Sequence, residues 1–132
     1  MRMTHTLKIL AVSLFLTAGA SAGPLLDGTA WTVKAVPTRQ TAAKEAEQFK
    51  DVLTFSGGFV SSRELKRIGI EPVAFTAEGT RDFLNWKTTP VLREKNKAQW
   101  DGVVNGKNIK GNLKWVTRNG QVRYYYIDGR KR

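Results

Sequence analysis

Apolar and polar residues alternate along most of the chain, in short runs cut by glycine-containing turns. "AWTVKAV" alternates and then stops at Pro37. Ser56-Gly57-Gly58 separates "FKDVLTF" from "FVSSREL", and Glu78-Gly79 separates "PVAFTA" from "TRDFLNW". Asn105-Gly106 and Asn119-Gly120 divide the C-terminal third into three runs. Period-two alternation marks a strand with one buried face. Asn-Gly between such runs is the strongest short hairpin signal, because both central positions of the tight turn take positive φ. The pattern predicts about eight strands, over roughly 30–36, 49–56, 59–65, 72–77, 81–88, 96–104, 107–118 and 121–128. "TAAKEAEQ" reads as a short helix or a polar loop. The fold class is all-β: an eight-stranded antiparallel up-and-down barrel or a strongly curled sheet.

The hairpin turns also predict a register. With Asn105-Gly106 as a two-residue loop, Gly102 faces Ile109 and Trp100 faces Gly111. With Asn119-Gly120 as the next, Trp115 faces Tyr124 and Leu113 faces Tyr126. Ala98, Trp100, Gly102 and Val104 then share an inner face with Ile109, Leu113, Trp115, Val122, Tyr124 and Tyr126. The glycines leave room for a neighbouring ring. The outer face carries Lys97, Gln99, Asp101, Lys110, Asn112, Lys114, Arg123, Tyr125 and Ile127, with Asp101 opposite Lys110 and Lys114 opposite both Lys97 and Tyr125. The terminal "RKR" is expected as a solvated tail.

The first 22 residues stand outside this pattern. Arg2 and Lys8 precede the apolar run "ILAVSLFLTA", and "ASA" ends at Ala22. A charged head, a short apolar segment and a small-x-small site predict a secretory signal peptide over 1–22. A membrane-spanning helix needs about 20 apolar residues, twice this run. The mature chain, residues 23–132, is then expected as one exported domain, periplasmic or extracellular, with no transmembrane segment. His5 leaves with the leader, and the remainder holds neither His nor Cys. Disulfides are therefore excluded, and stability must come from packing.

Charge is unevenly placed. Gly23–Gly79 carries seven Lys or Arg against seven Asp or Glu, whereas Thr80–Arg132 carries thirteen against four. The excess is either a solubilising surface or a face that attracts an anionic polymer or an acidic protein. Nucleic acid is not expected as a partner, since no recognised binding motif accompanies the charge. Catalysis has little support: without His or Cys there is no Ser-His or Cys-His nucleophile pair and no familiar zinc site. No catalytic residue, metal ligand or cofactor is therefore assigned.

Two candidate sites remain. In the leading one, Trp31, Trp86, Trp100, Trp115, Tyr124 and Tyr126 wall a pocket inside the barrel, and Asp51 and Ser61 orient the polar end of a small hydrophobic or amphipathic ligand. Its alternative is that these rings simply fill the interior, with Asp51 anchoring backbone amides or an Arg, or placed near the barrel rim. The second site is the basic outer face, with Lys97, Lys110, Lys114, Arg123 and Tyr125 acting as a periplasmic inhibitor surface or gripping anionic envelope components.

"DGTAWTV" at the first strand, followed by a strand meander, resembles the lipocalin and calycin group of small exported barrels. That group carries Gly-x-Trp at this place, here Gly28-Thr29-Ala30-Trp31, one residue longer. "F-x-D-x-L-x-F" at Phe49–Phe55, "G-x-F-x-S" at Gly57–Ser61 and "W-x-G-x-V-x-G-x-x-I-x-G-x-x-x-W" at Trp100–Trp115 are similar to uncharacterised bacterial lipocalin-like proteins. The resemblance implies a barrel whose base is closed by Trp31, and the function expected of the chain is non-catalytic binding.

Overall fold

A computed structural model describes residues 22–42 and 46–132. The expected signal peptide, but for Ala22, and the middle of "TAAKEAEQ" lie outside the described residues. In chain order the elements are α1 (Gly23–Leu26), β1 (Thr29–Pro37), α2 (Arg39–Ala42), β2 (Phe49–Ser56), β3 (Phe59–Ser62) and α3 (Arg63–Arg67). They continue with β4 (Val73–Thr80), β5 (Phe83–Thr88), β6 (Lys97–Asn105), β7 (Asn108–Val116) and β8 (Val122–Lys131). Each strand pairs antiparallel with the next, and β8 returns to β1, so the sheet is a closed eight-stranded barrel. This architecture is compatible with a lipocalin-like fold.

Alternation decides what the barrel holds. Trp31, Leu53, Phe55, Val60, Trp86, Trp100, Ile109 and Leu113 point inward and are almost wholly buried. Phe55 packs edge-on against Phe75 and Trp86, with ring centroids 5.1 and 4.9 Å apart. Leu26 of α1 and Leu65 of α3 join the same core. Closing so small a sheet requires backbones to approach tightly. Gly102 and Gly111 lie opposite one another, and a Cβ on either would strike a carbonyl oxygen of the neighbouring strand. The ring covering Gly102 is its other cross-strand neighbour, Trp86.

The turns depart from expectation in instructive ways. Gly57-Gly58 is a two-residue loop with both φ positive (62° and 86°), as a type I′ turn requires. At the β6–β7 hairpin Asn105 instead pairs with Asn108, so the loop is Gly106-Lys107. Only Gly106 takes positive φ there (64°), the sign pattern of a type II′ turn. This moves the pairing by two residues: Val104 faces Ile109 and Trp100 faces Leu113, with no change of face. Glu78-Gly79 is not a turn. Gly79 lies within β4, where it lets the Phe83 carbonyl approach, and the loop is Arg81-Asp82.

The β7–β8 hairpin differs by one residue, and that matters more. Thr117 and Gln121 close a three-residue loop, Arg118-Asn119-Gly120, through Thr117 N–H to the Gln121 carbonyl at 2.9 Å. Gly120, at φ 86°, occupies the left-handed position that such loops place last. The pairs are therefore Trp115 with Arg123 and Leu113 with Tyr125. A one-residue slip exchanges the two faces of a strand. Tyr125 is inside (2% exposed), while Tyr124 and Tyr126 stand outside at 41% and 59%.

Two further expectations are corrected. The run 59–65 is strand only to Ser62, whose hydroxyl accepts the Leu65 N–H at 3.0 Å and caps α3. The terminal residues are not a free tail, because Gly129–Lys131 pair with Trp31–Val33 and Arg132 N–H reaches the Ala30 carbonyl at 2.9 Å.

Candidate functional site

Trp31, Trp86 and Trp100 lie within the core, at 1–2% exposure, packed among other side chains. The Trp31 indole N–H donates to Thr29 Oγ1 at 2.9 Å, and that hydroxyl in turn donates to the Leu26 carbonyl at 2.6 Å. Trp31 thereby ties β1 to α1. The Trp86 and Trp115 indole N–H groups are buried and have no acceptor among the described residues. Trp115 is half-buried at one mouth of the barrel, with its ring stacked on Tyr125 at 6.3 Å.

Asp51 is internal, at 1% exposure, and every one of its partners is local. Its carboxylate accepts the Val52 N–H at 2.7 Å, the Glu64 N–H at 3.0 Å and the Ser62 hydroxyl. Burial pushes the Asp51 carboxyl above its ordinary pKa, and these hydrogen bonds work in the opposite direction. With both oxygens engaged, Asp51 welds β2, β3 and the start of α3 together. Ser61, expected beside it, faces outward; Ser62 is the inward partner, as the Gly57-Gly58 loop dictates.

The outer face of β6–β8 gathers most of the accessible chemistry. Tyr124 and Tyr126 project from it two residues apart, about 7 Å along the strand. Tyr124 pairs with Lys114 and Tyr126 with Asn112. Beyond them, Gln99 pairs with Lys114, and Asp101 pairs with Asn112, whose side-chain amide donates to it at 3.0 Å. These side chains, with Arg39 and Gln40 of α2, surround an open hollow of about 560 Å³.

One wall of the hollow, Thr38–Gln40, is fixed by backbone hydrogen bonds. The Tyr124 N–H donates to Thr41 Oγ1 and the Thr38 N–H to the Tyr124 carbonyl, both at 2.9 Å, which docks α2 against β8. Two of the lining side chains are held by Val91, whose N–H donates to Gln99 Oε1 at 2.7 Å and whose carbonyl accepts from Lys114 Nζ at 2.6 Å. Lys114 is thus half-buried, and its charge sits at the edge of the hollow. Lys97 and Lys110 are exposed on the same face.

The sequence-predicted residues are therefore redistributed. Lys97, Lys110 and Lys114 share the outer face, joined by Tyr124 and Tyr126 from the expected inner set. Tyr125 and Arg123 move inward, Tyr125 into the core and Arg123 to the mouth, where its guanidinium carbon stands 5.5 Å from the Trp115 ring centroid. Burial raises the Tyr125 phenol above its ordinary pKa, with Arg123 pulling it down. Arg39 and Gln40 had no signal in the pattern, since only the docking of α2 on β8 brings them to the face. No group of His, Cys, Asp and Glu able to hold a metal ion occurs among the described residues. No described helix is long and apolar enough to cross a membrane. The chain matches no protein-family model, no curated protein and no solved structure.

Proposed function

We propose that this is a non-catalytic, exported, lipocalin-like binding protein that holds an acidic glycan chain against the outer face of β6–β8. The observation that carries this reading is the pair of exposed tyrosines, Tyr124 and Tyr126, standing side by side over a hollow rimmed by amide and basic side chains. A phenol ring offers an apolar face on which a sugar ring can lie, and a hydroxyl that stays wet. Gln40, Gln99 and the Asp101–Asn112 pair suit sugar hydroxyls. Arg39, Lys97, Lys110 and Lys114 suit the acidic groups and draw the chain in at range. The leader-like segment at 1–22 supports export to the periplasm or the medium.

Calorimetry with polygalacturonate and hyaluronate, and with methyl-esterified polygalacturonate as the uncharged control, tests the reading. Binding of an acidic chain is expected, weaker by about ten-fold for the ester and falling with added salt. Tyr124→Ala with Tyr126→Ala should weaken it by about ten-fold or more. Binding indifferent to that pair, or equal for ester and acid, would sink the proposal. If only an acidic protein bound this face, the inhibitor-like reading would replace it. The reading of a small ligand within the barrel keeps the support of two buried indole N–H groups, of Trp86 and Trp115, that have no acceptor among the described residues. Native mass spectrometry of protein purified from its exported compartment would reveal such a ligand as a stoichiometric extra mass.

A further inference from the structure

We propose that the barrel mouth framed by Arg67, Arg118, Arg123, Trp115, Asn96 and Asn119 is a second binding site, for a small organic anion with a phosphate or carboxylate head. Three distant parts of the chain converge there: the end of α3, the residue before β6, and the β7–β8 loop with the first inward residue of β8. They surround a hollow of about 640 Å³, within the usual range for small-ligand sites.

Among the described residues its lining carries three guanidinium groups and no carboxylate. Glu64 is already shared between Arg63 and Arg67, each at 3.2 Å. An arginine has five N–H donors, and this ion pair occupies one nitrogen of Arg67. Arg118 and Arg123 have no carboxylate partner among the described residues, and a bound anion would supply their counter-charge. Arg123 is positioned before any ligand arrives. Its Nε donates to Gln121 Oε1 at 3.0 Å, and its guanidinium lies over the Trp115 ring. A held, planar fork of donors suits the oxygens of carboxylate and phosphate.

The walls are fixed as well. Asn96 sits in the left-handed region at φ 60°, its N–H donating to the Thr117 carbonyl at 3.3 Å and its amide to the Gly69 carbonyl at 3.4 Å. It pins the α3 end to the β7–β8 loop. Ile68, 43% exposed, and the Trp115 indole supply apolar surface for the body of the ligand. This site lies on the opposite side of β8 from Tyr124 and Tyr126, so the two can be tested apart.

The test follows indole N–H signals in two-dimensional ¹H–¹⁵N spectra, with the Trp115 signal assigned by Trp115→Phe. The full mature chain is titrated with phenyl phosphate, benzoate and neutral benzyl alcohol. The Trp115 signal should move saturably with at least one anion and not with the alcohol, and the stronger anion identifies the head group. Arg118→Gln with Arg123→Gln should weaken that anion by about ten-fold or more. Tyr124→Ala with Tyr126→Ala should leave it within about two-fold, since additivity holds for separate sites. If the double variant fails to fold, Arg118→Gln alone, at an exposed turn position, should still weaken binding by about three-fold. No saturable movement up to about 10 mM of either anion, or movement indifferent to the arginine substitutions, overturns the proposal.

Discussion

Asp51 is a charge placed where charge is costly, and it persists because three donors converge on it. Asp51→Ala would leave the Val52 and Glu64 N–H groups and the Ser62 hydroxyl without their acceptor, and should cost about 3 kcal/mol in denaturant unfolding. The pH dependence has a definite sign. Burial raises the folded carboxyl above its ordinary value of 3.8, so between 3.8 and the raised value the folded state binds more protons. The contribution of Asp51 to stability is then fully present below pH 3.8 and declines as pH rises through that window. Asp51→Asn removes this group's titration. The stability of wild type relative to Asp51→Asn should therefore fall as pH rises from about 3.8. A difference independent of pH would show that the carboxyl is not shifted.

Among the elements, the β7–β8 hairpin has the largest consequence. Its loop holds three residues rather than two, and this alone decides that Tyr125 is core while Tyr124 and Tyr126 are surface. The alternation was readable, since three consecutive tyrosines on a strand must divide between faces. Which face took two was not readable, because Asn-Gly fits both a type I′ turn and the end of a three-residue loop. Chemical nitration with peptide mapping checks the assignment: Tyr124 and Tyr126 should be modified in the folded protein, and Tyr125 only after unfolding. Nitration of Tyr125 ahead of its neighbours would restore the two-residue loop. The same ambiguity was harmless at β6–β7, where the change from one loop to the other moved the register by an even number.

For the molecule as a whole, closure is the event that turns a meander into a barrel. The seam is β8 against β1, and Gly129 faces Val33 across it. A Cβ on Gly129 would strike the Thr32 carbonyl and Val33. Gly129→Ala should therefore destabilise by about 2–3 kcal/mol, the cost of forcing an extra carbon into a packed seam. Gly23→Ala, where a Cβ meets nothing within 4 Å, should leave the thermal midpoint unchanged or slightly raised. Equal midpoints for the two variants would mean the seam tolerates opening. The basic strands β6, β7 and β8 are already neighbours through their hairpins, and closure sets β1 beside them.

The sequence by itself determined the all-β class, the approximate strand positions and the burial of Trp31, Trp86 and Trp100, because alternation and turn residues act over a few residues. Alternation also put Asp51 on one face with Phe49, Leu53 and Phe55, and the closed barrel decided that this face is internal. Only the tertiary structure decided the register at β7–β8, the choice of Ser62 over Ser61 as partner to Asp51, and the assembly of both hollows. Arg39 reaches Tyr126 through the docking of α2, and Arg67 reaches Arg123 through the Asn96 bridge. Such neighbours are separated by tens of residues, and only chain closure, a long-range packing event, brings them together.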